Sequence, residues 1–225
     1  MINSNGWKEN STWEFCEIAK ELYESRASDM DVELTCHAQA VELLRPRLVK
    51  GESVLDIGCG TGFLYHSFRK RQIPIDYYGI DATEQFIKTG RACLKNFGLP
   101  PEKLQHMRIE DLSGEVDHIA CLNVLSNIDN IYRPLQQMLR VARRTLVLRE
   151  SFQKTSSYQY VVDRYVENEE IMRVHVNTYP IEPVCDLVRS YGFIPQMVTD
   201  EYTGGRKQDV IGHPHYWTFL VATKD

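Results

Sequence analysis

The stretch VLDIGCGTG, residues 54–62, decides the fold, because a short apolar strand runs directly into a turn with a glycine at every second position. Gly58, Gly60 and Gly62 leave no side chain between the backbone and a ligand, and they permit backbone angles that other residues avoid. The amphipathic stretch that follows predicts a helix whose first N–H groups are free. The pattern therefore predicts a small-molecule site at one end of an α/β sheet.

Working outward from this turn, short apolar runs alternate with amphipathic stretches as far as Leu148. This alternation is typical of βαβ units and a mostly parallel sheet. Thr83 is the predicted cap of one helix, and Gly98 and Pro100 are predicted to end it. The predicted strands are Val54–Ile57, Tyr77–Ile80, Leu104–Ile109, His118–Leu122, Thr145–Leu148, Phe193–Val198 and Tyr216–Ala222.

The length of 225 residues suits one domain, so we predict a single domain over residues 1–225. Residues 1–50 form a helical N-terminal cap with Trp7, Trp13, Phe15, Ile18 and Leu22, and residues 51–150 form the ligand-binding core. Residues 152–180 interrupt the alternation as a substrate-side insertion that is rich in tyrosine, including Tyr158 and Tyr165. Residues 181–225 supply a closing helix and two strands.

Composition narrows the class of protein. The net charge of -5 and pI near 5.8 argue against a large nucleic-acid interface, which needs a basic face. No stretch reads as a signal peptide or reaches the length of a membrane span, so we expect no membrane partner. The scattered cysteines indicate a reducing, cytoplasmic compartment and no metal site; they are Cys16, Cys36, Cys59, Cys93, Cys121 and Cys185.

The glycine turn has three possible interpretations as a ligand-binding site. A Walker loop would need a lysine after it, and none is present. A dinucleotide fingerprint would need a third glycine where Phe63 stands. Asp56 precedes the turn, where an acid would repel a pyrophosphate but could hold an ammonium group. Asp81 ends the next strand, where an acid can accept both hydroxyls of a ribose, whether from NAD or from an adenosyl ligand.

A further acidic pair follows the third predicted strand. Asp111 could accept a hydrogen bond from an adenine amino group, and the backbone N–H of Leu112 could donate to the ring. Glu110 precedes them. The alternative is a solvated loop, and the position directly after a strand favours the ligand-binding interpretation.

Taken together, these features resemble the class I S-adenosylmethionine-dependent methyltransferases, with Asp56, Asp81 and Asp111 in the places of that family's acids. Residues 117–130 and 134–151 are similar to the branch with the ubiquinone-biosynthesis methyltransferases. The resemblance implies a Rossmann-like, seven-stranded, mostly parallel sheet with helices on both faces and an antiparallel last strand. It implies S-adenosylmethionine as cofactor, S-adenosylhomocysteine as product, and cofactor contacts from Asp56, Gly58, Cys59, Gly60, Gly62, Asp81, Ala82, Glu110, Asp111, Leu112 and Asn123.

The resemblance also implies direct S-N2 transfer of a methyl group to an O, N or C nucleophile, here of a small molecule. The family's pocket lies above the carboxyl ends of the strands, so the substrate candidates are Asn127, Arg149, Glu150, Tyr160, His175 and Tyr179. Asn127 departs from the branch, which often has histidine there, so no general base is assigned. The aromatic N-terminal segment could pack across a homodimer. The alternatives are a non-catalytic S-adenosylmethionine-binding protein, a methyltransferase acting on protein or RNA, and a nicotinamide-dependent oxidoreductase.

Overall fold

The structure is a computed structural model that describes residues 12–162 and 173–224. Trp7 and Tyr165, which the sequence placed in the cap and in the insertion, lie outside the described residues. The division of residues 1–225 as one domain stays a prediction.

Strands form where β-branched and aromatic residues cluster between turn residues. Those of the sheet that carries the glycine turn are β1 (Ser53–Ile57), β2 (Asp76–Asp81), β3 (Leu104–His106), β4 (Val116–Leu122), β5 (Ala142–Gln153), β8 (Tyr179–Pro180), β9 (Ile194–Thr199) and β12 (Trp217–Thr223). Among the described residues, two hairpins lie outside it, and they are formed by β6 (Tyr160–Val162) with β7 (Arg173–His175) and by β10 (Gln208–Val210) with β11 (His213–His215).

Helices alternate with these strands and end at residues that stop them. Thr83 is the N-cap residue of the helix after β2, as predicted, and Gly98 adopts a left-handed φ of 90° beyond its end. The helices are α1 (Glu17–Ser28), α2 (Thr35–Leu44), α3 (Leu64–Lys70), α4 (Glu84–Leu94), α5 (Tyr132–Val141) and α6 (Ile181–Ser190).

The main sheet has the order β3-β2-β1-β4-β5-β12-β9, and β8 pairs with β5. The strands β1 to β5 pair in parallel, whereas β12 runs antiparallel to both β5 and β9. The predicted mostly parallel sheet with an antiparallel last strand is confirmed. The short strand β8 is an eighth strand that the sequence pattern did not predict.

Two strand boundaries differ from the prediction for physical reasons. Edge strand β3 ends at His106, because it has only β2 as a neighbour, and the chain then makes a 3-10 turn over Ile109–Asp111. Strand β5 extends to Gln153, because β12 pairs with it as far as Ser151 and β8 pairs with Phe152 and Gln153. Its polar residues Arg149 and Glu150 are buried, so hydrophobicity alone underestimated its length.

Apolar residues cover both faces of the sheet. Val54 of β1 belongs to one buried cluster with residues of α2 and α3, whereas the adjacent Leu55 belongs to a second cluster with residues of α5 and α6 on the opposite face. In β4, Ala120 belongs to the same cluster as Val54, and Ile119 belongs to the same cluster as Leu55. Helices therefore lie on both faces, as predicted, and the strands meet the cap and loops at their carboxyl ends.

The described part of the N-terminal cap is helical, and α1 (Glu17–Ser28) buries one stripe of its residues. Ile18 and Leu22 are exposed, whereas Ala19 and Ala27 are buried at helical spacing. In the described ranges, no helix combines the length and hydrophobicity needed to cross a bilayer.

Candidate cofactor cavity

A cavity of about 440 Å³ opens at the carboxyl ends of β1, β2 and β4, between the cap and the β6–β7 hairpin. It brings together most of the residues predicted from the sequence. Those that line it are Asp56, Gly58, Cys59, Gly60, Asp81, Ala82, Glu110, Asn123, Asn127, Tyr160 and His175.

The glycine turn is packed from two sides. Gly58 has φ of 66°, and a Cβ there would lie 2.2 Å from a methyl carbon of Val124. Gly60 has φ of 56°, and a Cβ there would lie 2.4 Å from the ring of Tyr23. Gly62 does not line the cavity, since a Cβ on it would meet Leu104 of the core instead. Only glycine fits the first two places, because both positive φ and close approach are required.

Asp81 ties the turn to the start of helix α4. One carboxylate oxygen accepts the N–H of Gly60 at 2.8 Å, and the other accepts the N–H of Thr83 at 2.7 Å. Burial raises the pKa of Asp81, and these donors act in the opposite direction. The Thr83 side chain also donates to this carboxylate. Since a carboxylate has about four acceptor sites, acceptor capacity remains for a ligand hydroxyl.

Asp56 is buried in the cavity wall and accepts a hydrogen bond from the hydroxyl of Tyr77 at 2.6 Å. Burial raises its pKa to about 7, Tyr77 opposes that rise, and the charge of Asp81 adds to it. Within the described residues no cation pairs with Asp56, so a cationic group of a ligand would relieve the cost of burying its charge. The sequence did not point to Tyr77, because an aromatic residue in a strand predicts only core packing.

Two basic residues of the cap also line the cavity, and the sequence analysis missed both. The Arg26 guanidinium lies 5.6 Å from the ring centroid of Tyr23 and 5.4 Å from that of Phe63, and it has no ion pair within the described ranges. The His37 ring stacks on the Phe63 ring, with the two ring centroids 4.5 Å apart. Burial, assisted by the charge of Arg26, lowers the pKa of His37 to about 3, so its imidazole is neutral. No local motif marks either residue.

The acidic pair after β3 lies differently from the prediction. Ile109 and Glu110 line the cavity, but Asp111 and Leu112 do not. The 3-10 turn directs the Leu112 N–H to the carbonyl of Ile109 at 3.2 Å, and the Leu112 side chain is buried in the core. Its N–H is therefore engaged within the chain, and the predicted adenine contacts of Asp111 and Leu112 are not supported by this geometry.

Arg149 and Glu150 support the cavity wall without lining it, which corrects their prediction as substrate residues. Arg149 pairs with Asp200 and also donates to the side-chain oxygen of Asn123. The carboxylate of Glu150 accepts backbone N–H groups of residues 124, 125 and 126 at 2.8, 2.7 and 2.9 Å. Both side chains therefore hold the loop after β4.

Tyr179 is likewise a supporting residue, because it is buried and its hydroxyl donates to the carbonyl of Leu125 at 2.5 Å. The other substrate candidates do face the cavity. The rings of Tyr160 and His175 lie 4.6 Å apart on the β6–β7 hairpin, and Asn127 donates to the carbonyl of Asn123 at 3.0 Å. Within the described ranges no group of three His, Cys, Asp or Glu side chains gathers as a metal site.

The fold and the cavity define a Rossmann-like α/β protein with a ligand site beside a glycine turn. Residues 55–147 match the family model described as a methyltransferase domain. This match agrees with the resemblance to methyltransferases that the sequence motifs indicate.

Two curated relatives match about a third of the chain. The mitochondrial ubiquinone biosynthesis O-methyltransferase of Saccharomyces cerevisiae is 32% identical over 79 residues, 34% of this chain and 25% of that protein. The ubiquinone biosynthesis O-methyltransferase of Neisseria meningitidis serogroup C is 31% identical over 86 residues, 36% of this chain and 35% of that protein. The alignments thus span a quarter to about a third of the length of these relatives.

Solved structures share the whole architecture. Magnesium protoporphyrin IX methyltransferase from Synechocystis PCC 6803, with bound S-adenosylhomocysteine, has a TM-score of 0.61 at 15% identity and covers 94% of this chain and 96% of its own. CalS10, an amino pentose methyltransferase from Micromonospora echinaspora, has a TM-score of 0.60 at 16% identity and covers 92% and 97%. At such identities the similarity establishes the fold.

Proposed function

We propose that this protein is an S-adenosylmethionine-dependent methyltransferase that transfers a methyl group to an O, N or C nucleophile of a small molecule. The observation that carries the proposal is the cavity, where Asp56, Asp81 and the glycine turn meet the Arg26 guanidinium of the cap, which has no ion pair among the described residues. These groups match the charges and hydroxyls of an adenosyl amino acid.

The fit can be followed group by group. Asp56, buried without a cationic partner among the described residues, would hold the ammonium group of the cofactor. Arg26 would hold its carboxylate, because this guanidinium has no acid paired with it there. Asp81, whose carboxylate keeps acceptor capacity beyond its contacts with Gly60 and Thr83, would accept a ribose hydroxyl.

When bound, the cofactor supplies an electrophilic methyl group on its sulfonium sulfur. The protein then has to place the acceptor in line with that methyl group and exclude water. Asn127, Tyr160 and His175 line the side of the cavity formed by the β4 loop and the hairpin, and we assign them to the acceptor. The neutral imidazole of His37 is a further group that could accept a hydrogen bond there.

The rival functions make different predictions. A nicotinamide-dependent oxidoreductase needs a third glycine where Phe63 stands, and the Phe63 ring is buried against Tyr23 and His37. A non-catalytic protein would bind the cofactor without turnover. A methyltransferase acting on protein or RNA would methylate macromolecules in preference to small ones.

The first experiment is thermal unfolding with S-adenosylmethionine, S-adenosylhomocysteine and NAD in parallel. A ligand at one hundred times its Kd stabilises the folded state by about 2.7 kcal/mol. We expect stabilisation by the two adenosyl-sulfur ligands and loss of that effect in Asp81→Ala. The control is Asp186→Ala, which removes an exposed acid of α6. Stabilisation by NAD alone, or an unchanged response in Asp81→Ala, would contradict the proposal.

Turnover is tested separately by incubating the protein with S-adenosylmethionine and a panel of hydroxyl, amino and carbon-acid small molecules. The formation of S-adenosylhomocysteine is measured for each. Cofactor binding with no product from this panel, but with labelled protein or RNA from a total extract, would favour the macromolecular alternative.

The remaining expectations are proposals with their own tests. We propose a reducing, cytoplasmic compartment, in keeping with six free cysteines, and cell fractionation tests it.

We propose a homodimer through the cap, where Trp13, Ile18 and Leu22 expose apolar surface. Light scattering measures the mass, and Ile18→Glu with Leu22→Glu should lower it. If the parent protein itself has the mass of a monomer, the dimer is excluded.

A further inference from the structure

Tyr77 lies under the glycine turn, between Asp56 and Gly62. Its ring is buried on β2, and its hydroxyl lies 2.6 Å from a carboxylate oxygen of Asp56 and 3.2 Å from the carbonyl oxygen of Gly62. The rings of Tyr65 and Phe68 pack against it, with centroids 5.4 and 6.4 Å away. The hydroxyl is therefore held in one place by the core.

We infer that Tyr77 is a positioning residue for the cofactor: its hydroxyl orients Asp56 at the cavity wall and keeps the carboxylate in the form that binds an ammonium group. This inference rests on the proposed function, because it assigns Asp56 to the ammonium of an adenosyl amino acid. It adds a group that touches no ligand and acts only through Asp56.

The surroundings of Asp56 explain why one hydrogen bond matters. The titratable groups facing it are Asp81 on β2, Cys59 in the turn, Tyr23 on α1 and Cys121 on β4, and none of them is a cation. Arg26 and His37 are the basic groups of the cap in the same cavity. Among the described residues, Tyr77 is the only hydrogen-bond donor to the Asp56 carboxylate.

The hydroxyl is also held in its protonated form. Burial and the negative charge of Asp56 raise the pKa of Tyr77 well above its ordinary value, so it remains a donor. A hydrogen bond donated to a buried carboxylate stabilises the charged form. Loss of this donor should therefore make Asp56 harder to ionise.

The consequence is a defined pH dependence of cofactor binding. Burial raises the pKa of Asp56 to about 7, so the free protein is partly protonated there near neutral pH. An ammonium group binds the carboxylate form, so affinity should rise with pH through this range and level off above it. Without the Tyr77 hydroxyl, the pKa of Asp56 rises further, and the midpoint of the curve should move to higher pH.

The experiment measures the Kd of S-adenosylhomocysteine by calorimetry between about pH 5.5 and about pH 7.5, below the usual pKa of an α-amino group. The variants are Tyr77→Phe, Asp56→Asn and the double variant. The matched control is Tyr65→Phe, a buried tyrosine of α3 that packs against Tyr77.

We expect Tyr77→Phe to weaken binding about tenfold near pH 7 and less at the upper end of the range, since higher pH restores the carboxylate. Asp56→Asn should bind weakly with a flat pH profile, and adding Tyr77→Phe to it should change little. Tyr65→Phe should behave as the parent protein does.

An unchanged affinity in Tyr77→Phe overturns the inference, and so does an equal loss at every pH, which would indicate only a structural role. If Tyr77→Phe does not fold, the Asp56→Asn variant still decides, because a parental pH profile in that variant overturns the inference. Failure of S-adenosylhomocysteine to bind the parent protein at any pH would instead reject the proposed function.

Discussion

Arg149 and Asp200 form a buried ion pair, in which Nε of the guanidinium lies 2.7 Å from a carboxylate oxygen and the two side chains are 5% and 0% exposed. The same guanidinium contacts the side-chain oxygen of Asn123, a residue in the left-handed region with φ of 61°. Asn123 also donates its N–H to the carbonyl of Arg149 at 2.8 Å. The pair therefore holds a strained residue of the cavity wall in place.

Replacing Arg149 should be costly, because Asp200 would keep its charge in the interior without a partner. We expect Arg149→Met to lower the free energy of unfolding by about 3–5 kcal/mol, measured by denaturant titration. Arg149→Met combined with Asp200→Asn should recover part of the loss. The control is Arg189→Met on an exposed pair with Asp186, where about 0–1 kcal/mol is expected. Equal effects at the two sites would contradict this interpretation.

The ionisation of Glu150 should make the free energy of unfolding depend on pH. Burial raises its pKa to about 7, against the opposing effect of the three N–H donors. The folded protein therefore binds this proton at a pH where the unfolded chain has lost it. Stability should then fall as pH rises from about 4.5 to about 7, by at most about 1.4 kcal/mol per pH unit for one proton.

Denaturant unfolding at several pH values tests this expectation. Glu150→Gln should flatten the fall by one proton's contribution, although Asp56, whose pKa is also raised to about 7, should retain a second contribution. Glu182→Gln, at an exposed acid of α6, serves as the control and should keep the parental slope. Parallel curves for the parent and Glu150→Gln would show that Glu150 titrates normally.

Gly60 in the glycine turn and Gly114 just before β4 are two glycines with positive φ in different surroundings. Gly60→Ala would place a methyl group 2.4 Å from the Tyr23 ring, which is stacked on Phe86 at 4.7 Å and has little room to retreat. Gly114 also has positive φ, at 84°, but a Cβ there meets nothing within 4 Å. Both changes should cost about 1–3 kcal/mol of backbone strain.

Only Gly60→Ala should weaken the binding of S-adenosylhomocysteine, on the order of tenfold or more, because it displaces the cap from the turn. Calorimetric titration of the two variants checks this. Equal affinities would mean that the contact between Gly60 and Tyr23 does not shape the site.

The sequence by itself determined the order of strands and helices from β1 to β5 and the place of the cofactor turn. Those features depend on local causes: alternation of apolar residues sets the sheet, and glycines at Gly58 and Gly60 are required by backbone geometry. Asp56 and Asp81 could be predicted for the same reason, because Asp56 lies next to the end of β1 and Asp81 ends β2, and parallel strands bring their carboxyl ends together.

Only the tertiary structure decided which polar side chains face the ligand and which support the wall. Arg149 and Glu150 lie in β5 near the predicted substrate side of the sheet. Arg149 pairs with Asp200 and Glu150 accepts the N–H of Val124, so both side chains stabilise the cavity wall. Arg26, whose place in the cavity depends on how the cap packs on the turn, had no local signal. A side chain's role depends on groups distant in the chain, whereas strands and turns are encoded by neighbours in the sequence.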